Sequence, residues 1–289
     1  MDDQERNPKR DWEGKAMSEK FVQVDRLKTR YLEEGNGPAV ILLHGASIGS
    51  SADVWERNLA PLATHGLRAI AFDQPGFGLS DNPKDCSVAY RRRFILQFMD
   101  TVEIHKAALV GHSQAGAMAV GLAMDHPQRI SRIIVLGSGS LLPPLPQASK
   151  PGGAREGEEG TDGEPTPEDT RALLEHNLFN HSLITPEVLE KRHRMSVGKN
   201  FEAFRERNRT APTAGGKESV PLWQRLDQIP VPMLFIYGKQ DRGSAAERAV
   251  LFKERYPKLD LRLIDRCKHL VQWDAASEFI ALSAKFLTS

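Results

Sequence analysis

Residues 107–118 read Ala107-Ala108-Leu109-Val110-Gly111-His112-Ser113-Gln114-Ala115-Gly116-Ala117-Met118. An apolar run meets a glycine, a serine follows one residue after a histidine, and small residues lead into a helical apolar pattern. This is the composition of a strand that turns sharply into a helix with a serine at the turn. A serine on so tight a turn holds its hydroxyl above the sheet edge, and only small residues fit two places before and after it. Gly111 meets the first requirement. Ala115 stands where a second glycine is usual, with Gly116 just beyond. The plainer alternative is a serine that merely starts a helix, so the rest of the chain must decide.

Working outward, Ala39-Val40-Ile41-Leu42-Leu43 is a continuous apolar run, the mark of a strand buried on both faces. It opens into His44-Gly45-Ala46-Ser47-Ile48-Gly49-Ser50-Ser51, a loop of small residues at a strand's carboxyl end, where open α/β sheets place ligands. Phe21 to Glu34 alternates like two antiparallel strands with a turn near Asp25–Arg26. A helix is expected over Trp55–Thr64, a strand over Leu67–Phe72, and a tight glycine-rich turn over Asp73–Asp81. A second helix is expected over Arg91–His105, its Arg91-Arg92-Arg93 run forming a solvated edge. Ile130–Leu136, Val231–Tyr237 and Leu259–Ile264 read as further strands, and Ala245–Arg255 and Ala275–Leu287 as helices. Strands alternating with helices at this spacing imply a mostly parallel sheet covered on both faces.

The alternation breaks at 141–222, expected to be an inserted helical lid. Its stretch near 150–170, rich in Pro, Gly and Glu, is expected to be a mobile loop. The core is then 21–140 and 223–289, with 1–20 a disordered leader. The 289 residues carry a net charge of +1, which gives no drive toward nucleic acid or an anionic membrane. Mean hydropathy is −0.43, and no apolar run approaches the ~18 residues of a membrane span. Two cysteines, Cys86 and Cys267, are too few for a disulfide framework, so a reducing cytoplasm is expected. No metal-ligand spacing appears, and no cofactor or metal is expected. Lid or edge contacts allow a homodimer.

Asp241 follows one strand in Gly238-Lys239-Gln240-Asp241-Arg242, and His269 follows the last in Asp265-Arg266-Cys267-Lys268-His269. With Ser113 they stand in the order Ser, Asp, His, each after a strand. A serine hydroxyl needs a base to take its proton. His269 is the expected base, then the acid for the leaving group, and Asp241 the residue that fixes its tautomer. The backbone N–H groups of Ala46 and Gln114 are the expected oxyanion hole.

With these motifs on the page, the chain resembles the α/β-hydrolase superfamily from about Phe21 to Phe286. The match lies in Val40–Ala46, Phe72–Asp81, Gly111–Gly116, Gly238–Arg242 and Lys268-His269. The fold implied is an α/β-hydrolase: a mostly parallel eight-stranded sheet flanked by helices, with a helical lid. A closer likeness is to the meta-cleavage-product hydrolases, which split a carbon–carbon bond in ring-opened aromatics. His44–Gly49 resembles their H-G-x-G-P-G loop, and Arg57-Asn58-Leu59-Ala60-Pro61-Leu62 falls in register with it. Leu183–Glu187 with Lys191-Arg192 resembles their lid helix, and His269-Leu270-Val271-Gln272-Trp273 their H-W-x-Q-W stretch. The likeness implies that Arg192 binds an acidic substrate, and that Ser47, His112 and Leu270 line its site. The chain departs where His112 replaces the elbow asparagine, Val54 a second asparagine, Leu270 a tryptophan and Ile48 a proline.

Three functions are expected in order. The first is cofactor-independent hydrolysis of a small ester or lactone through an acyl-enzyme. The alternative is C–C hydrolysis of a 2-hydroxy-6-oxo-dienoate in aromatic degradation. From another class comes a ligand-binding receptor on the same fold. Arg192 discriminates the first two: facing the cavity it favours C–C cleavage, and on the lid surface it favours the ester.

Overall fold

The computed structural model of the chain describes residues 19–146, 163–209 and 220–289. The expected leader and most of the expected mobile loop lie outside these residues. Eight strands form one sheet: β1 (Lys20–Val24), β2 (Leu27–Glu34), β3 (Ala39–Leu43), β4 (Arg68–Phe72), β5 (Ala107–His112), β6 (Ile130–Leu136), β7 (Met233–Gly238) and β8 (Asp260–Ile264). Their spatial order is β1-β2-β4-β3-β5-β6-β7-β8. β1 pairs with β2, and β2 with β4, antiparallel; every later pairing is parallel. The fold is the α/β-hydrolase architecture.

The helices are α1 (Glu56–Ala63), α2 (Val88–Thr101), α3 (Gln114–Asp125), α4 (Pro167–Asn177), α5 (Pro186–Arg194), α6 (Lys199–Arg209), α7 (Ala245–Arg255), α8 (Val271–Asp274) and α9 (Ala276–Thr288). Alternate residues of the central strands feed two separate cores. Ile41, Leu43 and Leu109 join Phe94 and Phe98 of α2, Met118 of α3 and Phe252 of α7 on one face. Val40, Leu42 and Val110 join Trp55, Leu59 of α1 and Phe279 of α9 on the other. A period of two with both sets apolar is what turns these strands into unbroken hydrophobic runs.

Helix α2 begins at Val88, three residues before the expected start, because the Ser87 hydroxyl accepts the Tyr90 N–H and caps it. It ends at Thr101 and not at His105, and Glu103 just beyond takes a left-handed φ of 57°. The early start corrects the reading of the arginine run: Arg91 is buried, 3% exposed, on the face it shares with Phe94, Ile95 and Phe98.

Of the expected lid, α4, α5 and α6 are described. Thr166 and Asp169 form a reciprocal capping box on α4, and Thr185 caps α5 with Pro186 in its first turn. Within the expected mobile loop, residues 163–166 lead into α4, and Glu164 accepts the Gly198 N–H at 2.7 Å. This helical segment is tied to the carboxyl ends of the strands. Asn200 Nδ2 donates to Gly78 O (3.1 Å) and Arg207 to Gly76 O (2.7 Å), both in the turn after β4. Asn177 O accepts the Leu270 N–H (3.1 Å) in the loop after β8. Gly49 lies close under the lid: a Cβ there would lie 2.2 Å from Ser196 Oγ and 2.8 Å from Arg192 O, and its φ of +73° suits glycine.

Beneath these loops Asp73 is fully buried. One carboxylate oxygen accepts the Ala52 N–H (2.6 Å) and the other the Leu79 N–H (2.7 Å), joining the loops after β3 and β4. Burial pushes its pKa up to about 6 against the opposing pull of Arg30.

Candidate active site

Ser113 sits between β5 and α3 with φ 56° and ψ −125°. A non-glycine residue there holds about 1–3 kcal/mol of backbone strain. The turn is over-determined: Ser113 N–H donates to Leu136 O (2.8 Å), and Gly116 N–H returns to Ser113 O (3.0 Å).

β7 and β8 deliver the partners. His269 Nδ1 donates to Asp241 Oδ1 at 3.0 Å, with Oδ2 at 3.2 Å, and both residues are buried. That bond leaves the lone pair on Nε2. Among the described residues it meets the Arg242 guanidinium, whose Nη2 donates to it at 3.3 Å. No hydrogen bond joins the Ser113 hydroxyl to His269 in this structure, although both line the same cavity. The cavity, about 100 Å³, is bounded by Gly45, Ala46, Ser47, His112, Ser113, Gln114, Arg242 and His269.

The expected oxyanion donors lie on this wall. Gln114 opens α3, so its N–H has no partner within the helix. The Ala46 N–H makes no hydrogen bond among the described residues. His44 explains how that group is aimed. Its Nε2 accepts the Gln74 N–H (3.0 Å), so its Nδ1 carries the proton and donates to Gly45 O (2.8 Å). A trans peptide points its C=O and N–H in opposite directions, so fixing Gly45 O also fixes Ala46 N–H. Burial drives the His44 pKa down to about 3, which keeps it in this neutral form.

His112 is buried and its ring packs 4.7 Å from that of His269. Its Nε2 donates to the His269 carbonyl (3.0 Å), which holds the loop carrying His269. Burial, then the neighbouring His269, push its pKa well down, so it stays neutral. Gly45 leaves room for this packing, since a Cβ there would lie 3.1 Å from His112 Nδ1.

Ser47 lines the cavity, and Arg192 reaches it from α5: Nη2 donates to Ser47 Oγ at 2.8 Å. The lid arginine therefore touches a residue of the cavity wall, although its own side chain does not bound the cavity. Leu270 does not line it. It is buried in the apolar core with Trp55 and Phe279. Val54, also buried, offers only its backbone carbonyl, which accepts Trp273 Nε1–H (2.6 Å).

Two residues the spacing did not single out join the site. Arg242 is one. Arg91 is the other: it binds the Gln114 side-chain oxygen and reaches Gln74 Oε1 at 3.5 Å. Its signal was present, since Arg91 precedes Phe94, Ile95 and Phe98 by three, four and seven residues on one helical face. Among the described residues no cluster of three metal-ligating side chains occurs, and no helix is long and apolar enough to cross a membrane.

The profile of the alpha/beta hydrolase fold family matches residues 38–276. The chain belongs to that family. This hydrolase is 29% identical over 95% of its length to 2-hydroxy-6-oxo-6-phenylhexa-2,4-dienoate hydrolase of Burkholderia cepacia, covering 98% of that protein. It is 28% identical, over 94% of this chain and 96% of the relative, to 2-hydroxy-6-oxononadienedioate/2-hydroxy-6-oxononatrienedioate hydrolase of Burkholderia vietnamiensis. Among solved structures it resembles a variant of the meta-cleavage product hydrolase CumD. There the TM-score is 0.73 at 26% identity, with 93% of this chain and 97% of that chain covered. The expected likeness to C–C hydrolases is thus found in both sequence and structure.

Proposed function

We propose that this hydrolase cleaves the C–C bond next to the 6-oxo group of a 2-hydroxy-6-oxo-dienoate, with Ser113, His269 and Asp241 as its triad. The observation that supports this reading is Arg192 on Ser47 at 2.8 Å, a guanidinium held against a residue of the cavity wall. Ester hydrolysis needs only a triad and an oxyanion hole. A dienoate also brings a carboxylate, which a guanidinium binds through paired charge-assisted hydrogen bonds. The names of the relatives point the same way, and they weigh against the ester or lactone that the motifs alone put first.

Ketonisation of the 2-hydroxy group turns the dienol into a ketone conjugated to the future leaving carbon. Attack on the 6-carbonyl then places negative charge on its oxygen, which the N–H groups of Ala46 and Gln114 are positioned to receive. Loss of one such donor typically costs about 10²–10³ in rate. Collapse of the adduct breaks the C–C bond because the departing carbon passes its electron pair into the 2-keto conjugation. His269 takes the serine proton, and the electron pair comes to rest on the 2-oxygen, which is protonated to give the 2-hydroxydienoate product. Water then releases the second product from Ser113. The free, buried Cys86 and Cys267 fit a reducing compartment such as the cytoplasm.

The test compares Arg192→Gln with the intact protein on 2-hydroxy-6-oxo-6-phenylhexa-2,4-dienoate and on p-nitrophenyl butyrate. The expected result is a loss in kcat/KM of about ten- to hundredfold on the dienoate, with a much smaller loss on the ester. Equal losses on both would remove the carboxylate-anchoring role and with it the argument for C–C cleavage.

A further inference from the structure

The oxyanion hole takes its two donors from different loops: Ala46 N–H follows β3 and Gln114 N–H follows β5. One oxygen can accept from both only if the spacing of the loops is held, and a displacement of about 1 Å can cost a hundredfold in rate. A buried side chain of α2 bridges the two. Arg91, 3% exposed, donates through Nη2 to Gln114 Oε1 and through Nη1 to Gln74 Oε1 at 3.5 Å.

The Gln114 branch is direct, since the residue that carries the donor is gripped by its own side chain. The Gln74 branch ends at Ala46. A guanidinium only donates, so it turns the Gln74 amide with Oε1 toward itself and Nε2 away. Nε2 then donates to His44 O at 2.6 Å, and the Gln74 N–H donates to His44 Nε2 at 3.0 Å. The first bond fixes the peptide between His44 and Gly45. The second sets the tautomer in which His44 Nδ1 donates to Gly45 O at 2.8 Å, and so fixes the peptide that carries the Ala46 N–H. A ring contact supports the same branch: the guanidinium lies 5.5 Å from the Phe77 ring centroid, and Phe77 packs edge-on against His44 at 4.8 Å. Two acceptors on two loops suit a planar fork, which lysine lacks.

We infer that Arg91 is a positioning residue that holds the two oxyanion donors at the spacing of one oxygen. It does not bound the catalytic cavity; it acts through Gln114 on one side and through Gln74 and His44 on the other. The inference rests on the serine and the oxyanion hole of the reading above, and not on which bond is cleaved. Without Arg91 the Gln74 amide is free to turn, and a flipped amide sets Oε1 against His44 O, two acceptors face to face.

The experiment uses the full chain and diethyl p-nitrophenyl phosphate, whose P=O oxygen occupies the hole. Ser113 Oγ bonds to phosphorus, His269 takes its proton, and p-nitrophenolate leaves with the electron pair of the broken P–O bond. The total released counts working sites, and the limiting rate constant reads the hole. Arg91→Met, Arg91→Lys, Gln74→Leu and the double variant of Arg91→Met with Gln74→Leu are compared with the intact protein, with Ser113→Ala as the blank. Arg91→Met is expected to release one p-nitrophenolate per chain about ten- to hundredfold more slowly, with the half-saturating concentration little changed. Arg91→Lys is expected to recover part of the rate. The double variant is expected to lose less than the product of the two single losses, because both residues act along one chain of contacts. An unchanged rate constant in Arg91→Met, or fewer sites reacting at the original rate constant, as a merely structural arginine would give, overturns the inference. So do single losses that multiply in full, and so does the absence of Ser113-dependent release from the intact protein. Slowed release in Arg91→Met with the dienoate left intact by the intact protein supports the Arg91 assignment and refutes the C–C reading. Dienoate cleavage with an unmoved organophosphate rate in Arg91→Met does the reverse.

Discussion

At the scale of single residues, the site depends on two histidines that must stay neutral. His44 holds a peptide and His112 holds a loop, each through a defined tautomer. Protonating either would put a second proton where a donor already faces it or where burial resists charge. The His44 pKa falls to about 3 and that of His112 falls well below the ordinary 6.5, so the unfolded chain binds two protons that the folded one refuses. Their stability is complete above pH 6.5 and is lost progressively as pH falls. Asp73 acts in the opposite sense: its pKa is raised from 3.8 to about 6, so its stability is complete below 3.8 and lost as pH rises through 6. Between pH 6 and 4 the two histidines lower stability on acidification while Asp73 raises it. Urea unfolding across this range should show a smaller loss of stability on acidification in His112→Asn than in the intact protein. An unchanged loss in the variant would show that His112 is not held neutral. The Ser113 turn and the Asp241–His269 pair were legible in the sequence because each follows a strand of the sheet. Arg242 was not, because its position names a loop and not the direction of a long flexible side chain. Leu270 was misplaced for a related reason: adjacency to His269 in sequence does not fix which side of the loop faces the cavity.

At the scale of elements, the proposed selectivity rests on the placement of α5. The helix starts where the Thr185 hydroxyl accepts the Val188 N–H at 3.2 Å, and Arg192 lies seven residues on. Removing such a cap costs about 1 kcal/mol. Thr185→Ala should therefore speed amide hydrogen exchange in α5 by about fivefold and raise KM for an acidic dienoate more than for p-nitrophenyl butyrate. Exchange in α5 at the original rate would contradict the cap's role. The strands were readable because burial on both faces leaves runs such as Val40–Leu43 with no polar interruption. Helix limits were harder. The start of α2 is set by Ser87, outside the apolar pattern, and the three adjacent arginines masked that Arg91 shares the face of Phe94 and Ile95.

At the scale of the whole molecule, the fold brings four loops to one edge of the sheet. β3 supplies an N–H aimed by His44, β5 the strained serine, β7 the acid with its neighbouring guanidinium, and β8 the histidine. The lid adds Arg192. This architecture was deducible from the order of motifs, since strands alternating with helices place every loop of this kind on the same edge. The substrate was not, because it depends on where a long side chain such as Arg192 reaches after the lid has docked. The most direct test of the account is product analysis. The purified protein is mixed with a 2-hydroxy-6-oxo-dienoate, loss of the conjugated enolate absorbance is followed, and both products are identified by mass spectrometry, beside Ser113→Ala. The account predicts a carboxylic acid from the carbon-6 side and a 2-hydroxypentadienoate from the other, with the rate in Ser113→Ala reduced at least about a thousandfold. Turnover of simple esters with the dienoate left intact would contradict it.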